Sequence, residues 1–98
     1  MSGQSRRRAV VDVFQKLGLE PPAEDWSGVD PVLPLLERMR QDGAVVLLKW
    51  DGERRTQPYT VVAAGPPLAG DTLRTDAASL EDALAKVLLE YAARAWGA

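Results

Sequence analysis

The segment from Ser79 to Trp96, SLEDALAKVLLEYAARAW, constrains the fold more than any other stretch of this chain. Leu80, Ala83, Leu84, Val87, Leu88, Tyr91, Ala92 and Ala95 recur at the spacing of one broad helix face. Ser79 is a natural N-cap, with Asp82 in the place of the usual capping-box glutamate. On the outer face Asp82, Lys86, Glu90 and Arg94 form a ladder of i, i+4 charges, each pair contributing about 0.2–0.5 kcal/mol. A helix over 79–96 with so wide an apolar face needs a flat apolar surface to pack on, and the rest of the chain must provide it.

That surface is a small sheet. AVVLLKW (44–50) and YTVVAA (59–64) have strand length and β-branched content. A tight Asp51-Gly52 turn would set Leu48 against Arg55 and Val46 against Gln57. Pairing Trp50 with Tyr59 instead aligns Leu48 with Val61 and Val46 with Ala63, and this register is preferred because it keeps one face apolar. DGERRTQP (51–58) then projects as a loop, with Pro58 tolerated at its base. DTLRT (71–75) alternates well enough for a third, edge strand.

Val10, Val13, Phe14 and Leu17 mark an N-terminal helix over 5–17, ended by Gly18, while residues 1–4 are expected to be disordered. EPPAEDWSGVDP (20–31) reads as a surface linker whose one large apolar side chain is Trp26. Asp30 and Pro31 open a second helix over 30–42, with Val32, Leu35, Leu36 and Met39 as its stripe; Pro34 would move the start a few residues later. The expectation is one α+β domain over 1–98: a two-layer sandwich with an antiparallel sheet of 44–50, 59–64 and 71–75. The 30–42 and 79–96 helices pack on one sheet face. Val45, Leu47, Val62 and Ala64 make the other face too apolar to leave bare, so the 5–17 helix, a second subunit in a homodimer, or a partner should cover it.

The 98 residues include no histidine and no cysteine. That removes the imidazole general base, the thiolate nucleophile, and the nitrogen and sulfur ligands of zinc, haem and iron–sulfur sites. Serine occurs only at 2, 5, 27 and 79, outside any nucleophile-elbow context, and GPPLAG (65–70) has prolines where a phosphate loop needs amide donors. The sequence therefore points away from an enzyme, a metal site and a cofactor. Zero cysteines suit a reducing compartment. Asp12 interrupts the apolar run after the arginines, which argues against an export signal, and no stretch approaches the ~18 apolar residues of a membrane span. The expected location is cytoplasmic, away from membranes. Twelve basic and 14 acidic residues leave a net charge of −2, so nucleic acid is not attracted globally.

Local features are the remaining candidates. Arg6, Arg7 and Arg8 open a helix where the macrodipole favours acids; they either contact a phosphate or acidic partner or lie on a solvated end. Arg54 and Arg55, at the tip of the 51–58 loop, either extend a basic surface or merely solvate it. Trp50 is read as core. Trp26 is either a plug at the core edge, the preferred reading, or an anchor for a partner. Leu89 and Trp96, with Ala85, form a second stripe on the last helix that packs on the N-terminal helix or joins a second chain.

Helix, three strands, helix is also the order of the double-stranded-RNA-binding domain. That family's last helix begins with lysines that straddle phosphates, whereas TDAASLEDALAK presents Asp76, Glu81 and Asp82, and RNA binding is disfavoured accordingly. Residues 31–95, with YTVVAAG followed by SLEDALAKVLLEYA, resemble the small α-β-β-β-α "ABA sandwich" proteins of phages and prophages. The resemblance implies a bacterial mobile-element accessory protein, a class in which small inhibitors and anti-defence or immunity proteins are common. The sequence-based expectation is thus a non-enzymatic binding protein that inhibits or modulates a protein partner, using Trp26, Arg54, Arg55, Leu89 and Trp96. The alternative is a nucleic-acid-associated regulator using the exposed arginines.

Overall fold

A computed structural model describes residues 2–98. Three helices, α1 (Gly3–Lys16), α2 (Leu33–Gln41) and α3 (Leu80–Tyr91), accompany three strands, β1 (Val45–Trp50), β2 (Tyr59–Ala64) and β3 (Leu73–Ala77). The strands form one antiparallel sheet in the order β1-β2-β3. This is the α+β architecture expected from the sequence.

The β1–β2 register is the apolar one, with Trp50 opposite Tyr59, Leu48 opposite Val61 and Val46 opposite Ala63. Asp51 N–H donates to the Pro58 carbonyl at 2.8 Å, so the ladder runs one pair past the strands before the loop begins. β3 lies two residues later than expected. Asp71 N–H bonds the Leu68 carbonyl and belongs to the preceding turn; pairing starts at Leu73 opposite Ala63 and ends at Ala77 opposite Tyr59.

Alternation along the strands puts Val46, Leu48, Val61, Ala63, Leu73 and Thr75 on one face, where α2 and α3 pack. Val61, Ala63 and Leu73 are buried there, as are Leu35 and Met39 of α2 and Leu84, Val87 and Leu88 of α3. The first turn of the expected 30–42 helix is a 3₁₀ turn, Asp30–Val32, after which α2 proper starts beside Pro34.

α1 does not cover the opposite sheet face, which corrects one of the three covers expected for it. Its stripe of Val10, Val13 and Phe14 packs against α3 instead, where the fully buried Ala85 supplies a small-residue surface. Of the four N-terminal residues expected to be disordered, Met1 lies outside the described residues. Ser2 caps α1, accepting the Ser5 N–H, and Gly3 and Gln4 lie in its first turn. The carboxylate of Asp82 comes so close to Gly3 that it leaves no room for an added Cβ. An acid from α3 thus stands at the α1 N-terminus, which has no acid of its own in its first turn and is followed by three arginines.

α3 ends as an α-helix at Tyr91, and Ala92–Trp96 continues as a π-turn closed by Gly97 at φ 65°. The expected single helix over 79–96 therefore has two parts. A π-turn bonds residues five apart, which stacks Trp96 over Tyr91, whereas an α-helix would swing it to the flank.

Candidate functional site

β1 is an edge strand, with β2 on one side and, among the described residues, no strand on the other. Because Asp51 directs its N–H at β2, antiparallel alternation turns Val45, Leu47 and Lys49 inward and leaves the backbone groups of Val46, Leu48 and Trp50 aimed at the open edge. No turn, loop or side chain among the described residues bonds to those edge groups. The strand contains no proline, and its only charge is Lys49, paired with Asp51 at 3.4 Å.

Its side chains are equally uncovered. Val45 and Leu47 are 57% and 60% exposed on the face away from the helices. On the helix face Val46 and Leu48 are only half-buried, because α2 stands off from them. Between α2 and β1 runs an open groove of about 480 Å³, floored by Leu36, Ala44, Val46 and Leu48. Leu33, 48% exposed, forms one wall, and Glu37 and Arg40, hydrogen-bonded to each other, form the rim. That hydrogen bond draws the Glu37 carboxyl below its ordinary pKa.

Trp50 closes the strand and is not core. It shares the helix-facing side by parity, yet no helix covers it and it is 57% exposed. Its ring meets Tyr59 edge-on at 6.5 Å beside a shallow recess lined by Asp51, Gly52 and Pro58. Leu33, Val45, Leu47 and Trp50 are the large apolar side chains left in solvent among the described residues, and all four border β1.

The 51–58 loop folds back on the sheet. Asp51 Oδ1 accepts the Glu53 N–H, which with Lys49 and Arg54 nearby lowers its pKa. Arg54 bridges Asp51 and Asp76, reaching the Asp76 carboxylate at 3.0 Å. Thr60, the one buried polar residue among those described, donates its hydroxyl to the same carboxylate. That hydrogen bond, with those from Arg74 and Arg54, holds Asp76 down to about 2. Arg55 stays exposed at the tip and makes no ion pair among the described residues.

The other candidate residues are dispersed. Trp26 is 3% exposed, its Nε1 donating to the Arg7 carbonyl at 3.0 Å, and the Arg7 guanidinium lies over its ring and donates to the Asp25 and Trp26 carbonyls. The plug is the reading this geometry supports. Arg8 pairs with Glu24 at 3.5 Å, so two of the three consecutive arginines bind the linker to α1, while Arg6 makes no such pair among the described residues. The linker's far end is held by the Gly28 N–H, which donates to Glu81 at 2.7 Å.

Leu89 is half-buried against the core. Trp96 goes to neither surface expected for it. Through the π-turn its Nε1 reaches Asp42 Oδ2 at 2.8 Å, and Tyr91 Oη donates to the same oxygen at 2.9 Å. The two rings stand 5.1 Å apart, edge to face, and Arg38 lies over the indole. Burial, and then the Asp42 carboxylate, push the Tyr91 phenol up. Asp42 thus ties the end of α3 to the end of α2, immediately before β1. Sequence reasoning missed it, because these contacts span 49 and 54 residues and no local pattern marks an aspartate before a glycine as their acceptor.

No protein-family model matches this chain, and no curated protein or solved structure shows significant similarity to it.

Proposed function

We propose that this protein is a non-enzymatic binding module that inhibits or modulates a protein partner by receiving it along β1. The observation that carries this reading is the gathering of Leu33, Val45, Leu47 and Trp50 around one strand whose outer backbone groups have no partner among the described residues. A partner that adds a strand there would satisfy those groups and bury apolar side chains on both sheet faces at once. The residue inventory supports the same direction, because a chain without histidine or cysteine is better supplied for recognition than for catalysis. The resemblance of residues 31–95 to phage and prophage sandwich proteins adds the inhibitor or anti-defence context.

The nucleic-acid alternative is weaker on geometry. Of its five arginines, Arg7, Arg8 and Arg54 already hold internal contacts, which leaves Arg6 and Arg55 on separate elements.

The test compares the wild-type chain with Leu47→Glu in pulldowns from host lysate. The change lies on an exposed side chain, so the thermal midpoint should be unchanged, while capture of any specific protein should be lost. Capture that survives the substitution would move the site away from β1. Steeply salt-dependent binding of generic DNA or RNA, reduced by Arg6→Ala or Arg55→Ala, would favour the alternative.

A further inference from the structure

We infer that β1 pairs with β1 of a second copy of this chain, in an antiparallel arrangement about a two-fold axis at Leu47, giving a continuous six-stranded sheet. This rests on the reading of β1 as a docking edge and adds a second copy of the chain as an occupant of it.

Three observations bear on a second copy. The first is that parity permits it. The outward backbone groups belong to Val46, Leu48 and Trp50, and a two-fold at Leu47 sets Val46 of each copy opposite Leu48 of the other. Both residues belong to the outward set, so each such pair exchanges two ladder hydrogen bonds, and Leu47 falls between them as a non-hydrogen-bonded pair with itself.

The second is apolar matching. This register places Leu47 against Leu47 on the bare face, as the closer, non-hydrogen-bonded pair, and Val46 against Leu48 above the groove. The neighbouring register, centred on Leu48, would instead put Leu47 opposite Lys49. Lys49 lies opposite Val45 in the Leu47-centred arrangement, and like charges are kept apart.

The third is charge. The two-fold brings the α2 rim of each copy onto the same face of the sheet, with the two rims running antiparallel. Glu37 and Arg40 sit three residues apart on that rim. An antiparallel pair of such rims presents each Glu37 to the other copy's Arg40, so the surface is complementary to itself. The opposite edge of the sheet lacks these features: β3 places Arg74 and Asp76, bonded to each other, where β1 places Val45 and Leu47.

Sedimentation velocity from micromolar to millimolar protein tests this. The wild type should move from the 10.7 kDa monomer mass toward twice that value as concentration rises. Leu47→Glu, which sets two carboxylates against each other on the axis, should weaken association by about tenfold or more, with a thermal midpoint unchanged at concentrations where the wild type is monomeric. Glu37→Arg and Arg40→Glu should each weaken it, and the double exchange should restore it. A wild type that stays monomeric at millimolar concentration overturns the proposal, as does a double exchange without restoration. The docking-edge reading has a separate fate: a monomeric wild type that captures a protein lost by Leu47→Glu keeps that reading and discards self-pairing, while capture insensitive to Leu47→Glu discards that reading itself.

Discussion

The two edges of the sheet are built from similar lengths of chain and treated in opposite ways. On β3, Leu73 is 5% exposed beneath α3, and the outer face carries Arg74 and Asp76 in an ion-paired cluster with Arg54 and Thr60. On β1 the helix-side residues are half-covered by a short helix that stands off, and the outer face carries Val45 and Leu47 in solvent. Charged side chains and packed helices are the usual protections of a strand edge against pairing with other chains. β3 has both and β1 has little of either, so stability is concentrated at one edge and availability at the other.

The largest expected effect follows from burial. Leu73→Ala should cost about 2–5 kcal/mol in denaturant unfolding of the monomer, as deletion of a packed core leucine does. Leu47→Ala should fall within about 0.5 kcal/mol of wild type under the same conditions. Equal costs would erase the contrast between the edges.

A smaller effect is expected at the clamp that positions α2 beside β1. Asp42→Ala leaves the buried Tyr91 hydroxyl without its acceptor and should cost about 1–3 kcal/mol. Tyr91→Phe removes donor and need together and should cost about 1 kcal/mol or less. If Tyr91→Phe were the more damaging, the hydroxyl would contribute through something other than its bond to Asp42, and the carboxylate would be incidental.

The smallest effect is the acid response of the β3 edge. Asp76 is depressed from 3.8 to about 2, so its contribution favours the folded state above its unfolded pKa near 3.8 and is lost as the pH falls through about 2. A carboxyl-carbon NMR titration should find its midpoint near 2, and Asp76→Asn should remove this part of the acid response. A midpoint near 4 would mean that the Thr60, Arg74 and Arg54 contacts do not hold the β3 edge in solution.

Local and pairwise patterns were legible in the sequence, and contacts between distant elements were not. The β1–β2 register could be read because a one-residue slip would turn Leu48 and Val61 to opposite faces. The excess of apolar residues at Val45, Leu47, Val62 and Ala64 was visible for the same reason, and Val45 and Leu47 belong to the candidate site. What failed was the assignment of cover. The α1 stripe shows that a helix packs, though not whether its surface is a sheet face or another helix. Trp50 has the parity of a core residue, and only the short reach of the helices leaves it exposed. Trp96 was projected along an ideal α-helix, and the π-turn at 92–96 broke that projection.

The packing of α1 on α3 also bears on how the chain is made. Val10 and Leu80 are 70 positions apart in the sequence. At roughly 5–20 residues per second, a ribosome needs about 4–14 s to pass from one to the other. Throughout that interval the surface that buries Val10, Val13 and Phe14 has not yet been made, so α1 is seated late. Nascent chains stalled before α3 should therefore present this stripe to chaperones.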